Sequence, residues 1–335
     1  MAKTLNIDTS PHISSGVSVD IIMRNVVYAL LPVCAFAVYV FGLAALITLA
    51  GATISCVLTE YLLCRATGRE SSVGDWSVTI TGMLYGLTLP PGLPLWMVVL
   101  GGVIGVALGK FLFGGLGYNA FNPALVGRAF LQAAFPVAMT TWYEPMGADR
   151  FAALPSSVLT FPFATPAYDT LSGATPLSAM KFDGDIAAST DLLMGLTSGS
   201  TGETSALLIM LGGLYLIARN MMNWRIPAAI FVAVIALSGA MHLVDAAAYP
   251  SPVFMMFAGG LMLGAMFMAT DMVASPMTNI GCWIYGTLIG LLVIVIRLWG
   301  GMPEGVMYAI LLANAISPHI DKLIQPRVYG TGGAS

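Results

Sequence analysis

Residues 25–64 read NVVYALLPVCAFAVYVFGLAALITLAGATISCVLTEYLLC, and Glu60 is the one charged side chain in that run. A bilayer-crossing helix needs about 20 mainly apolar residues, so the run is long enough for two helices parted at Gly42. A chain built around such a pair folds with lipid as its solvent. Composition agrees, with 58% hydrophobic and 9% charged residues and a mean hydropathy of +0.86, where soluble domains carry roughly 25% charged side chains. The net charge of −3 gives no reason to expect nucleic acid as a partner. The expected partner is the lipid bilayer.

Working outward, apolar segments fall near residues 25–41, 43–64, 76–90, 95–113, 122–138, 203–218, 225–243, 252–270, 280–297 and 302–317. The fold class expected is therefore an all-α integral membrane protein of about ten transmembrane helices. Several are broken. The third ends in Leu89-Pro90-Pro91-Gly92-Leu93-Pro94 and the sixth opens in Gly199-Ser200-Thr201-Gly202. Pro and Gly there free backbone groups that lipid cannot satisfy, so both ends should be buried in protein or line a polar cavity. Pro94 precedes Gly101-Gly102 by seven residues, and Pro252 precedes Gly259-Gly260 by the same interval. Each segment leads to a polar break, Asn119 to Pro123 and Ser275 to Asn279. This pattern predicts an inverted five-plus-five repeat, an arrangement that places sites at the interface of its halves.

Orientation follows from the thirteen Lys and Arg. With a cytoplasmic N-terminus, one side receives nine: Lys3, Arg24, Arg65, Arg69, Lys110, Arg219, Arg225, Lys322 and Arg327. The other receives three, Arg150, Lys181 and Arg297, with Arg128 inside the fifth segment. That bias puts both termini in the cytoplasm and loop 139–202 outside, the periplasm of a bacterium with the chain in its inner membrane. The expected divisions are a cytoplasmic segment 1–24, membrane halves 25–138 and 203–317, the periplasmic loop 139–202 and a cytoplasmic tail 318–335. No apolar signal core precedes the first span. Within the spans, Glu60, Lys110, Arg128 and Asp271 are costly enough in hydrocarbon to suggest ion pathways or partner contacts, although snorkelling or pairing near the cytoplasmic interface accounts for most such residues. Cys34, Cys56, Cys64 and Cys282 form no C-x-x-C pair, which argues against an iron-sulfur cluster or structural zinc in this chain.

The long loop is where chemistry with water is accessible. Ser172-Gly173-Ala174-Thr175 places a hydroxyl just outside the hydrocarbon in a turn of small residues, and Thr175 is a candidate attachment point for a cofactor. Two further constellations stand out. Ser200 and Glu203, within Gly199-Ser200-Thr201-Gly202-Glu203-Thr204-Ser205, have the spacing of a capping box. Asn119 and Asn122 lie three residues apart, and Asn122-Pro123 suits the start of a helix.

Three ordered stretches carry a resemblance that spans most of the chain from about residue 20 to 325. They are Phe113-Gly114-Gly115-Leu116-Gly117-Tyr118-Asn119-Ala120-Phe121-Asn122-Pro123-Ala124, then Asp169-Thr170-Leu171-Ser172-Gly173-Ala174-Thr175-Pro176-Leu177, and finally Phe267-Met268-Ala269-Thr270-Asp271 with Pro303-Glu304-Gly305-Val306 after it. The chain resembles the family that joins the D subunit of Rnf electron-transport complexes to the B subunit of the sodium-pumping NADH:quinone oxidoreductase. The resemblance implies FMN held by a phosphoester to Thr175, with Asp169, Ser172, Gly173 and Ala174 as the recognition element. A transferase would bring the Thr hydroxyl to the pyrophosphate of FAD, release AMP and leave the phosphate on the side chain. Thr170 departs from the family, which often has Gly there. Related subunits also hold a non-covalent riboflavin within the membrane, for which the amides of Asn119 and Asn122 offer donors and acceptors. Ser200, Gly202, Glu203 and Thr204 are open to either reading, contact with the flavin phosphate at a helix start or local capping. The implied partners are the other membrane and peripheral subunits of an Rnf-type complex, including flavin and iron-sulfur subunits.

The function expected is a flavin-carrying membrane subunit of an ion-translocating, ferredoxin- and NAD-linked oxidoreductase complex, not catalytic alone. The quinone-reducing homologue is the nearest alternative. The roughly 24 residues before the first span are shorter than that homologue usually has. A small-solute channel of inverted-repeat architecture is the alternative of a different class, and it would carry no flavin.

Overall fold

The computed structural model describes residues 18–162, 164, 173–246 and 248–326, which are helical with no strand among the described residues. In chain order the helices are α1 (Val19–Phe41), α2 (Leu43–Thr67), α3 (Ser77–Leu87), α4 (Leu95–Val106), α5 (Pro123–Ala134), α6 (Pro136–Met139) and α7 (Pro176–Ser178). They continue with α8 (Ser189–Met194), α9 (Ala206–Ala218), α10 (Arg225–Val244), α11 (Pro252–Phe257), α12 (Leu261–Leu263), α13 (Asn279–Trp299) and α14 (Val306–Leu323). Short π-helical stretches extend α4 over Ala107–Phe111, α7 over Ala179–Asp183 and α12 over Gly264–Met268.

Among the described residues, α1, α2, α10 and α13 are long and apolar enough to cross a membrane. At about 1.5 Å per residue, the 23 residues of α1 exceed a hydrocarbon core of about 30 Å. The same rise carries the 11 residues of α3 only about half-way. α4 with its π extension and α9 are shorter apolar helices as well. The segment expected over 252–270 is interrupted at Ala258, Gly259 and Gly260, and the one over 122–138 kinks at Phe135, before Pro136. A uniform set of full spans is therefore not what the chain builds.

The exterior is apolar. Tyr28, Leu31, Leu46, Ile54 and Leu58 of α1 and α2 all point outward, as expected where lipid is the solvent. Small residues let the interior close. Gly286 and Gly290 of α13 face the backbone of Ile226 and Ile230 in α10, and a Cβ on either would come within 2.7 Å of these carbonyls. Such close backbone approach is the usual route to tight helix packing in membranes. At the α1–α2 corner, Gly42 takes φ +69°, and an added Cβ would fall 2.0 Å from the Arg150 carbonyl oxygen. Leu43 N–H donates to that same carbonyl at 2.9 Å.

The two broken ends meet each other, which satisfies their freed backbone. Thr201 N–H donates to Leu89 O at 3.0 Å and Gly202 N–H to Leu87 O at 2.6 Å. The Thr201 hydroxyl lies 2.7 Å from Gly86 O and 3.0 Å from Leu89 O. Burial of these ends in protein is thus as expected from their composition. The capping box is not formed. Helix α9 starts at Ala206 with Ser205 as its N-cap, whose hydroxyl accepts from Leu208 N–H at 3.3 Å. Ser200 instead donates to the Glu203 carboxylate at 2.9 Å, because pairing of 201–202 with 87–89 takes that backbone out of helix.

Two cations counted in the charge bias are also not loop charges. Lys110 and Arg297 are buried at 3% and 1% exposure. Removing them leaves eight on one side and two on the other, and the asymmetry persists.

Candidate functional site

Thr175 is the N-cap of α7 and is 7% exposed. Its hydroxyl donates to Ser178 Oγ at 2.9 Å and accepts from Ser178 N–H at 3.2 Å. Gly173 N–H donates to Trp142 O at 3.2 Å, and Ser198 Oγ donates to Ala174 O at 2.6 Å. Gly173 is not among the residues of positive φ. Space is tight there, since a Cβ would fall 2.9 Å from Ser198 Oγ and displace it. Asp169 and Ser172 lie outside the described residues.

Beyond Thr175 the chain is pinned to the membrane helices. Lys181 Nζ donates to Arg297 O at 2.9 Å, Gly300 O at 2.5 Å and Met302 O at 3.2 Å. A cation at the carbonyl end of α13 is favourable by charge as well as by hydrogen bonding. Partial burial lowers the Lys181 ammonium from its ordinary pKa. Leu177 packs at Gly259, where its Cδ1 and Glu304 Oε1 stand 2.6 and 2.8 Å from an added Cβ.

The result is a cavity of about 600 Å³ with Thr175 and Ser178 on its wall. Trp142, Phe182 and Tyr308 supply aromatic surface, and Arg128, Gln132 and Glu304 supply polar groups. Ligand pockets of small molecules and cofactors run to about 300–1,000 Å³, so a flavin ring fits by size and by lining. Glu304 is held in place by Gly260 N–H at 3.0 Å and by Arg297 at 3.5 Å. Arg297 also donates to Met255 O at 2.5 Å and Ala258 O at 2.8 Å. Ser200, Gly202, Glu203 and Thr204 are not on this cavity wall. Glu203, which accepts from the Ser200 hydroxyl, lies close to Glu304 of that wall.

A second, smaller cavity of about 110 Å³ contains both Asn119 and Asn122 on its wall, with Lys110, Thr81 and Asp271. Asn122 is the N-cap of α5, accepting from Ala124 N–H at 3.0 Å and Leu125 N–H at 3.4 Å and donating to Met268 O at 3.2 Å. Its amide is spent on structure. Asn119 donates to Asp271 at 3.0 Å and to Phe121 O at 3.2 Å. At about 110 Å³ it is smaller than the roughly 300–1,000 Å³ usual for ligand pockets, too small as it stands for a flavin ring. Met23, Met222 and Met272 are on its wall, and methionine side chains rearrange more readily than branched ones. Lys110 is committed elsewhere, with Nζ 2.7 and 2.9 Å from the Glu60 carboxylate oxygens and 2.7 Å from Ser77 Oγ. Lys110 and Arg128 face different cavities.

Helix α5 carries both cavities. Asn122 caps its start while Arg128 and Gln132 lie along it, about 9 and 15 Å further on at 1.5 Å per residue. The two sites are therefore much closer than a hydrocarbon thickness, because α5 is a half-length helix.

The sequence model of the NQR2, RnfD, RnfE family matches residues 6–330. The D subunit of a proton-translocating ferredoxin:NAD(+) oxidoreductase complex from Clostridium ljungdahlii is 41% identical over 335 residues, covering 97% of this chain and 96% of the relative. The D subunit of a Na(+)-translocating ferredoxin:NAD(+) oxidoreductase complex from Acetobacterium woodii is 41% identical over 331 residues, 97% of this chain and 95% of the relative. The D subunit of an ion-translocating oxidoreductase complex from Alcanivorax borkumensis is 40% identical, with 96% of both chains covered.

Proposed function

The chain belongs to the NQR2, RnfD, RnfE family, and from that premise we propose that it relays electrons through FMN bound covalently at Thr175. It is a membrane-embedded subunit of an ion-translocating oxidoreductase complex of the Rnf type. The observation that carries the flavin reading is the buried Thr175 hydroxyl on the wall of a cavity of about 600 Å³ with three aromatic side chains around it. Attachment joins Thr175 Oγ to the phosphorus of the FMN half of FAD, with loss of the hydroxyl proton and departure of AMP. Ser178 N–H can still donate to the ester oxygen, while Ser178 Oγ no longer accepts a hydrogen bond from Thr175. Bound flavin would supply one- and two-electron chemistry, for which the protein provides position and electrostatics. The tether keeps it at high effective concentration beside its site. Intact-mass spectrometry of the purified chain, with in-gel flavin fluorescence, tests this reading, and a mass equal to the bare polypeptide would end it.

We place the chain in a bacterial inner membrane with both termini cytoplasmic, loop 139–202 periplasmic, and membrane halves 25–138 and 203–317 forming an inverted repeat of about ten segments, some of them half-length. Gly-Gly pairs followed by π-helical stretches at 107–111 and 264–268 support that pairing of halves. A cysteine at exposed Ser189 should react with an impermeant thiol reagent in intact cells, and one at exposed Ser71 should not. The reverse pattern would invert the topology. Its electron partners are flavin and iron-sulfur subunits of the same complex.

A second, non-covalent riboflavin is proposed at the Asn119 cavity, admitted when its methionine walls move. Substitutions at the two asparagines then separate. Asn122→Leu removes a helix cap and should cost about 1 kcal/mol of stability, while Asn119→Leu should lower riboflavin content and leave covalent FMN unchanged. Wild-type riboflavin in purified Asn119→Leu complex would move the second site elsewhere.

A further inference from the structure

Each other buried charge in the spans has a close partner: Lys110 and Glu60 have each other and Arg297 has Glu304 and two carbonyls, while half-buried Asp271 has Asn119 and Val273 N–H. Arg128 differs. It is 8% exposed and its Nε is buried without a hydrogen-bond partner, as is that of Arg297, but Arg297 is held through both terminal nitrogens whereas among the described residues no carboxylate forms an ion pair with Arg128. Glu203 feels its charge only through space. An unpaired charge in a membrane interior is strongly unfavourable and calls for an explanation. Its position supplies one, because Arg128 shares the cavity wall with Thr175 and has Gln132 one turn along the same face of α5.

We propose that Arg128 is the countercharge for an oxyanionic group of the flavin held in the Thr175 cavity, an inference that rests on the flavin reading above. A guanidinium presents a planar fork of donors matched to two oxygens of a phosphate, or to a carbonyl and ring nitrogen of a pyrimidine edge. The flavin offers both, as the ester phosphate at Thr175 and as the pyrimidine edge, whose negative charge increases on reduction. Arg128 then serves as a positioning and electrostatic group that is complete only when the cavity is filled.

The test uses the purified complex with Arg128→Met and Arg128→Lys, each also made in the Thr175→Ala background. Covalent flavin, flavin midpoint potential and thermal stability in micelles are measured. In the flavin-free background Arg128→Met is expected to raise Tm, because it removes an unpaired charge, and in the Thr175 background it is expected to lower it. If the phosphate is the partner, Arg128→Met lowers covalent flavin at least fivefold and leaves the potential of the remainder unchanged. If the pyrimidine edge is the partner, loading is unchanged and the potential falls by about 30 mV, a tenfold loss of preference for the reduced form in a two-electron couple. Arg128→Lys recovers part of either loss. Wild-type loading and potential in Arg128→Met overturn the proposal, as does equal destabilisation with and without flavin, which would make Arg128 a structural group. Failure of the parent reading is distinguishable, since it leaves Thr175 without flavin before any Arg128 variant is made.

Discussion

Thr175→Ala is expected to abolish in-gel flavin fluorescence from the denatured chain completely while leaving the protein in the membrane. The alanine removes the only atom through which the phosphoester forms. Its structural cost is small by comparison, because Thr175 caps a helix of three residues and an N-cap is worth about 1 kcal/mol. Thr175→Ser keeps both the hydroxyl and the cap and should retain covalent flavin. Fluorescence surviving in the alanine variant would remove Thr175 as the attachment point.

The largest stability effect is expected at the Glu60–Lys110 pair. Their side chains are 3% and 4% exposed and their charges 2.7 Å apart, with Ser77 and Ser72 completing the hydrogen bonds. Removing one partner of a buried pair typically costs about 3–5 kcal/mol, because the other charge is left unpaired. Lys110→Met and Glu60→Gln should therefore each collapse thermal stability in micelles. The double variant should recover most of the loss, since neither charge remains. Single variants that lose no more than about 1 kcal/mol would instead match a solvent-exposed pair, and would mean that water reaches Glu60.

Full spans are legible in the sequence because an uninterrupted apolar run has one outcome in lipid. Segments expected over 43–64, 225–243 and 280–297 are α2, α10 and α13 with small changes at their ends. The half-length helices are legible as broken, through Pro90, Pro94 and Gly199, but their ends are not. Where α9 begins depends on Thr201 and Gly202 pairing with Leu87 and Leu89, and no local spacing announces a partner so distant in the chain. Hence Ser205, and not Ser200, is the cap. At the candidate site, Thr175 carries its own signal in the small-residue turn. Arg128 does not, because a charge in a span reads alike whether it is paired, snorkelled or facing a cavity. Only the convergence of α5, Trp142, loop 173–178 and α14 distinguishes these. The short separation of the two sites is hidden for the same reason, since the length of α5 sets it.

The clasp between the two broken ends also constrains how the chain is made. Thr201 bonds to Leu89 across 112 positions of sequence, so residues 77–94 enter the bilayer long before ribosomes reach their counterpart. During that interval the carbonyls of Leu87 and Leu89 lack the partners that Thr201 and Gly202 give them in the finished fold. Insertion machinery or sheltered water has to accommodate them, and the first half released by itself would present an unfinished surface to quality-control proteases.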